Sequence, residues 1–257
     1  MDILRKELNS IYESQNLGRE KLDIQDIEKC RSLAEGFVIM SKGCAVITDA
    51  SSDCSYLYIG ALGQLLGIVK DSPCAEVYNS SDEDMIYLKI HPEDLVEKRM
   101  LEYEFFKYIN SLSGKEKTNF QATCRLRMLT GGSDFIIVNN TTQIICPSPL
   151  GKIWLILCTY QLGSPLTPFN DISPAIKNNL TGEVIPLSFR EKRSLILTRR
   201  EKEIMKLIKE GKVSKQIADM LGISVHTVNR HRQNIIEKLS VGNLIEAITA
   251  AESMGLL

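Results

Sequence analysis

The sequence predicts an α+β protein: an antiparallel sheet with helices, followed by an all-α region of four short helices. Three observations predict it. Two short β-rich runs after Cys44 and three longer ones between Asn119 and Leu162 flank a long helical stretch, an order that differs from alternating βα units. From Leu197 onward the apolar residues adopt a 3.6-residue period. The charge divides near the same point: residues 190–257 hold 13 Lys+Arg against 8 Asp+Glu, and the preceding 189 residues hold 18 against 24. The expected organisation is amphipathic helices over 1–35, a sheet domain over 36–163, a linker over 164–194 and a four-helix domain over 195–257.

The composition narrows the class. At 257 residues a second domain is expected, since domains cluster at roughly 100 to 150 residues. With no run of about 18 apolar residues, no membrane span is expected. The N-terminus, MDILRKELNS, carries acids and no long apolar run, which argues against a secretory signal and for a cytoplasmic protein. The cysteines at 30, 44, 54, 74, 124, 146 and 158 form no C-x-x-C pair, so neither a disulfide framework nor a structural zinc site is expected. They read as reduced thiols, and no metal or cofactor is evident.

Taken in order, residues 2–12 space Leu4, Leu8, Ile11 and Tyr12 at helical intervals. Asp23–Leu33 repeats the pattern with Ile24, Ile27 and Leu33, a stripe that docks on the sheet or on a second protomer. CAVITDAS and SYLYIG, separated by Ser51, Ser52 and Asp53, read as a hairpin, and ALGQLLGIV as a short helix. At H-P-E-D a long helix begins: Pro92 suits its first position, and Glu93 and Asp94 suit its positive end. Three strands follow, turning at Gly131-Gly132 and at Pro147–Gly151. Gly163–Ser194 holds Pro165, Pro168, Pro174 and Pro186, which restrict a linker, and Ile176–Leu187 around Thr181-Gly182 reads as a hairpin.

In the last region, Thr198 and Glu201 form a capping box that starts a helix with Ile204, Leu207 and Ile208 as its stripe, ended by Gly211. A second helix covers Ser214–Leu221 and buries Ile217, Ala218 and Leu221. Gly222 supplies the positive φ of a tight turn, and Ser224 caps a third helix. On that third helix Val228, Ile235 and Leu239 share one face, while His226, Asn229, Arg230 and Gln233 share the opposite one. Asn and Gln suit adenine edges and Arg suits guanine. Helix, glycine turn, then a helix with polar residues early on its outer face is a helix-turn-helix arrangement.

L-T-x-R-E-x-E at Leu197–Glu203, K-x-I-A at Lys215–Ala218, L-G-I-S-x-x-T-V at Leu221–Val228, His231, Lys238-Leu239 and Glu246-Ala247 resemble the LuxR/NarL-type (GerE-like) DNA-binding domain over about 60 residues. The resemblance implies double-stranded DNA as partner, the third helix in the major groove, and a fourth helix that commonly pairs protomers into a homodimer. It implies His226, Asn229, Arg230 and Gln233 as base readers, and Lys215, Ser224, Thr227 and Arg232 as phosphate contacts. Arg199 departs from the proline common in that family, and Val213 from a serine that often caps the second helix, so Ser214 is expected to cap it one residue late.

Residues 36–163 resemble a PAS domain: two strands, helices, then a three-stranded meander, with H-P-E-D-L, Arg125–Phe135 and Trp154 as matching points. The resemblance implies a sensor that holds a small-molecule ligand or pairs protomers. A phosphate receiver would need βα alternation with acids at strand ends. An acyl-homoserine-lactone domain carries several tryptophans, and here Trp154 is the single one. His91 reads as a capping residue rather than a haem ligand, and no cysteine lies in a flavin-photoreceptor motif. With no G-x-S-x-G, H-E-x-x-H or phosphate loop, no catalytic residue is named and no enzyme is expected. The reading is a transcription regulator gated by a signal. The alternatives are an adaptor that binds RNA polymerase or another regulator, and a ligand-metabolising N-terminal domain fused to a regulator.

Overall fold

The computed structural model describes residues 8, 10–78, 84–189, 197–239, 241–253 and 256–257. Leu8–Leu187 form one compact unit, and Ser188–Leu257 belong to a second.

The first unit is built on one antiparallel sheet. Its strands are β1 (Cys44–Asp49), β2 (Cys54–Ile59), β3 (Cys74–Tyr78), β4 (Phe120–Leu129), β5 (Phe135–Pro147), β6 (Ile153–Leu162), β7 (Ala175–Asn178) and β8 (Val184–Pro186). Their order is β3-β2-β1-β6-β5-β4-β7-β8. Four hairpins are local (β1–β2, β4–β5, β5–β6, β7–β8), and β6 returns beside β1, with Val46 opposite Cys158. β1 is buried along its whole length, as befits a strand at the middle of the sheet. β4 alternates half-buried and buried residues because one face is covered and the other is partly open.

Two helices lie against the sheet. α1 (Ile24–Ser41) begins with Asp23 accepting the Gln25 N–H, and ends at Lys42 with φ 59°. Its buried residues are Cys30, Ala34 and Val38, which pack with Ala45, Ile47, Trp154 and Leu155. The expected stripe is therefore misplaced: Ile24 is 73% exposed and Leu33 68%, and only Ile27 lies partly against the core. The helix also runs past Leu33 to Ser41. That length brings Ala34 and Val38 into line with Cys30, and these small side chains let the helix lie close to the sheet. The helix expected over 2–12 falls largely outside the described residues; of its stripe, Leu8 is buried and Ile11 and Tyr12 are half-buried.

α2 (Ala61–Leu65) and α3 (Asp84–Tyr87) are short. α4 (Pro92–Asn110) is long and opens as expected, with His91 Nδ1 accepting the Glu93 N–H at 3.3 Å. Burial lowers the His91 pKa, helped by the neighbouring Arg127 cation. The start of α4 is clamped to β4. Asp94 accepts the Arg127 backbone N–H at 2.7 Å and both Nε and Nη2 of its guanidinium, and Glu93 takes Nη2 as well. Hydrogen bonding to Asp94 raises the Arg127 pKa against the opposing effect of burial. At the other end, buried Lys117 donates to the Ile109 and Leu112 carbonyls, closing the helix C-terminus.

Two further features differ from expectation. β3, in a Ser/Asp/Pro-rich stretch with little apolar signal, pairs with β2 at an edge. The β4–β5 turn falls at Gly131-Gly132 as expected, with its positive φ at Ser133 (76°). The Ile176–Leu187 stretch, expected as a hairpin in the linker, is a hairpin built into the sheet, with Ile176 opposite Ala122 of β4 and Gly182 at φ 75° in its turn. Residues 190–194 of the expected linker and 195–196 of the expected four-helix domain lie outside the described residues. No helix among the described residues is long and apolar enough to cross a membrane.

The clamp predicts that Asp94→Ala strands the Arg127 guanidinium and backbone N–H, and costs about 2–3 kcal/mol. The midpoint of urea unfolding, followed by Trp154 fluorescence, measures it.

Candidate nucleic-acid interface

Four helices occupy the described part of the second unit: α5 (Arg199–Lys209), α6 (Ser214–Leu221), α7 (Val225–Leu239) and α8 (Leu244–Ser253). α5 starts at the predicted capping box, with Thr198 Oγ1 accepting the Glu201 N–H at 3.2 Å and Glu201 accepting the Thr198 N–H at 2.8 Å. Its buried residues are Glu201, Ile204 and Met205; Leu207 and Ile208 are half-buried, so the stripe is centred one residue away from the expectation. Gly211 at φ 80° ends it.

α6 begins at Ser214, but Ser214 does not cap it. Gln216 accepts the Val213 N–H at 3.0 Å instead. Ser214 Oγ is engaged across the turn, donating to Asn229 Oδ1 at 2.9 Å and accepting from Arg232 Nη1 at 2.7 Å. Gly222, at φ 64°, makes the turn into α7. Ser224 Oγ accepts the Thr227 N–H at 3.0 Å and lies 2.8 Å from Thr227 Oγ1, which is the capping geometry expected of it.

The two faces of α7 are sharply different. Val228 and Ile235 are fully buried and Leu239 nearly so, whereas His226, Asn229, Arg230 and Gln233 are exposed. Lys215 and Ser224 are exposed beside them, and Thr227 and Arg232 are half-buried. Gln233 donates to Glu237 at 3.1 Å, so its amide must exchange that partner before it meets a base.

Two interactions unread from the sequence fix the angle of this face. Buried Glu201 accepts Lys238 Nζ of α7 at 2.7 Å, and Arg200 Nη2 donates to the Leu221 carbonyl at the end of α6 at 2.8 Å. Burial alone would raise the Glu201 pKa; hydrogen bonds from Lys238 and Thr198 outweigh it and hold the pKa below its ordinary value. The signal for the first was present: Glu201 and Lys238 both stand in quoted motifs, but nothing in their spacing says that they meet.

Residues 195–251 match the family described as bacterial regulatory proteins, luxR family. That stretch is a LuxR-family helix-turn-helix domain. Over 59 residues, 23% of this chain and 40% of the relative, it is 51% identical to an uncharacterised response regulatory protein, YgeK, of Escherichia coli. Over 64 residues, 25% of this chain and 27% of the relative, it is 45% identical to the transcriptional activator protein AnoR of Acinetobacter nosocomialis. The chain thus spans well under half the length of these curated relatives. Among solved structures, the transcription factor GerE is 39% identical over 24% of this chain and 92% of its own, with a TM-score of 0.24. The Vibrio cholerae VqmA dimer is 18% identical over 91% of this chain and 89% of its own, with a TM-score of 0.31.

Elsewhere, His91, Glu93 and Asp94 bring donor atoms within 4.8 Å of one another. Both carboxylates are held by Arg127 and His91 Nδ1 by a backbone N–H, so the cluster is the α4 clamp and not a metal centre.

A lowered Glu201 pKa means stabilisation that is present above the ordinary carboxylate value of 4.5 and lost as pH falls through the lower folded value. The protection of the α5 amides in the full chain, their exchange rate relative to unprotected amides at the same pH, is expected to fall on acidification through that window. Glu201→Gln is expected to flatten the pH dependence.

Proposed function

We propose that the protein is a sequence-specific DNA-binding transcription regulator that acts as a two-fold dimer on a pseudo-palindromic site. The observation that carries this reading is α7. Its inner face is anchored in the helix bundle, and its outer face presents His226, Asn229, Arg230 and Gln233 to solvent within the part that matches the LuxR family. A helix held this way enters a major groove with its first turns against base edges. Asn229 and Arg230 supply amide and guanidinium forks for adenine and guanine, with His226 and Gln233 beside them. Lys215, Ser224, Thr227 and Arg232 border that face and are assigned to backbone phosphates. For Ser224 the assignment joins its capping role, because a helix N-terminus already favours an anion.

One such helix reads a few base pairs. Two, held about one DNA turn apart (roughly 34 Å), read a longer site, so whatever sets their separation sets affinity. The exposed Ile245 of α8 supports pairing through the fourth helix. The first unit is read as the sensor, a PAS-like domain. Support comes from its antiparallel order, in which the last meander strand β6 returns beside β1 and the long helix α4 is buried against β4. A signal that shifts dimerisation by a few kcal/mol changes occupancy by orders of magnitude.

Binding isotherms on DNA test the assignment of residues. Arg230→Ala is expected to cost about 1–3 kcal/mol and to relax preference at one base position. A loss that is uniform across sequences would make Arg230 a phosphate contact. Lys215→Ala is expected to weaken all sequences alike and to lower the salt slope by about 1; an unchanged slope removes Lys215 from the interface.

A further inference from the structure

Helix α4 carries two charged side chains with hydrogen-bonding atoms that are buried and have no partner among the described residues. They are Arg99, 3% exposed, at Nε and Nη2, and Glu102, 5% exposed, at Oε2. Desolvated charge of this kind is costly, and buried polar groups in folded proteins are satisfied as a rule. The two residues lie three apart on the helix and so project from neighbouring positions.

Tyr87 ties them together. The Arg99 guanidinium stands 4.8 Å from its ring centroid, and its hydroxyl donates to Glu102 Oε1 at 2.9 Å. Lys98, fully buried, donates to the same hydroxyl at 3.0 Å and pairs with the same carboxylate oxygen. One oxygen of Glu102 is thus doubly engaged and the other is not. On Arg99, Nε and Nη2 form one edge of the guanidinium, two parallel N–H groups whose spacing fits a carboxylate. The chain shows the match itself: Arg127 uses the same edge, Nε and Nη2, to hold Asp94.

We propose that this cluster is the ligand site of the sheet domain, and that it takes a small carboxylate with an adjacent donor, an α-amino acid or 2-hydroxy acid. The carboxylate meets the Arg99 edge, and the ammonium or hydroxyl meets Glu102 Oε2. The proposal deepens the sensor reading above and rests on it. Tyr87 and Lys98 act as positioning residues, fixing Glu102 so that Oε2 is the oxygen left for the donor.

The test follows the Arg99 Nε–H resonance of the full-length protein by NMR, assigned by its loss in Arg99→Lys. The probes are the standard α-amino acids, L-lactate, acetate and ethanolamine. A saturable shift is expected with at least one amino acid or lactate, a weaker response with acetate and none with ethanolamine. Glu102→Gln is expected to preserve acetate binding while reducing the preference for the donor-bearing ligand over acetate by about tenfold or more, as for one lost charge-assisted hydrogen bond. An Arg99 signal unmoved by every carboxylate, as an ordered water bridging the cluster would leave it, overturns the proposal. So does an equal response to ethanolamine. If Arg99 is unresponsive yet the protein still selects a DNA site, only this proposal fails; if Arg99 is saturated and no DNA sequence is preferred, the site stands and the regulator reading fails.

Discussion

A single buried carboxylate organises the C-terminal helices. Glu201 closes the capping box of α5 with Thr198 and then accepts Lys238 from α7, so one side chain both starts the first helix and sets where the third one lies. Arg200, its neighbour, reaches the last carbonyl of α6. Together they turn three short helices, each too short to persist alone, into a frame that presents one face of α7 at a fixed angle. Apolar packing through Ile204, Ile217, Val228 and Ile235 gives the frame its stability, but it is non-directional; the charged hydrogen bonds supply direction.

The sheet unit uses buried charge differently. At the start of α4 the charges are satisfied within the chain, with Asp94 and Glu93 sharing Arg127, and the helix is clamped to β4. Farther along, Lys98 and Tyr87 engage one oxygen of Glu102 and leave the other, and Arg99 packs on the face of Tyr87 with its Nε and Nη2 unpartnered among the described residues. A helix with both arrangements has a stable end and a polar interior beside it. That contrast separates the part of α4 that maintains the fold from the part suited to recognition.

Much of this is legible in the sequence where the signal is local. Caps at Thr198, His91 and Ser224, the glycine turn at Gly222 and the hairpin at Gly182 are each written in two to four adjacent residues, and each stands where its chemistry puts it. The outer face of α7 is legible for the same reason, because helical periodicity separates it from Val228, Ile235 and Leu239. What escapes is long-range. The exposure of Ile24 and Leu33 depends on which face of α1 meets the sheet, and Leu and Ile carry no mark of which apolar residue is inside. The insertion of β7 and β8 into the sheet depends on β4 having an open edge, which no residue of the proline-rich stretch records. The partners of Ser214 and Lys238 lie 15 to 37 residues away, and spacing alone does not name them. The Arg99–Glu102 cluster is hidden because charged residues on a helix ordinarily mark its wet face, and here they mark an interior one.

We propose that α7 reads DNA sequence from a dimeric protein. Selection of bound duplexes from a random pool by the full-length protein at near-physiological salt tests it most directly. A pseudo-palindrome with fixed half-site spacing is the expected product. Recovery of no preferred sequence, by the full-length protein and by residues 190–257 alone, would contradict it.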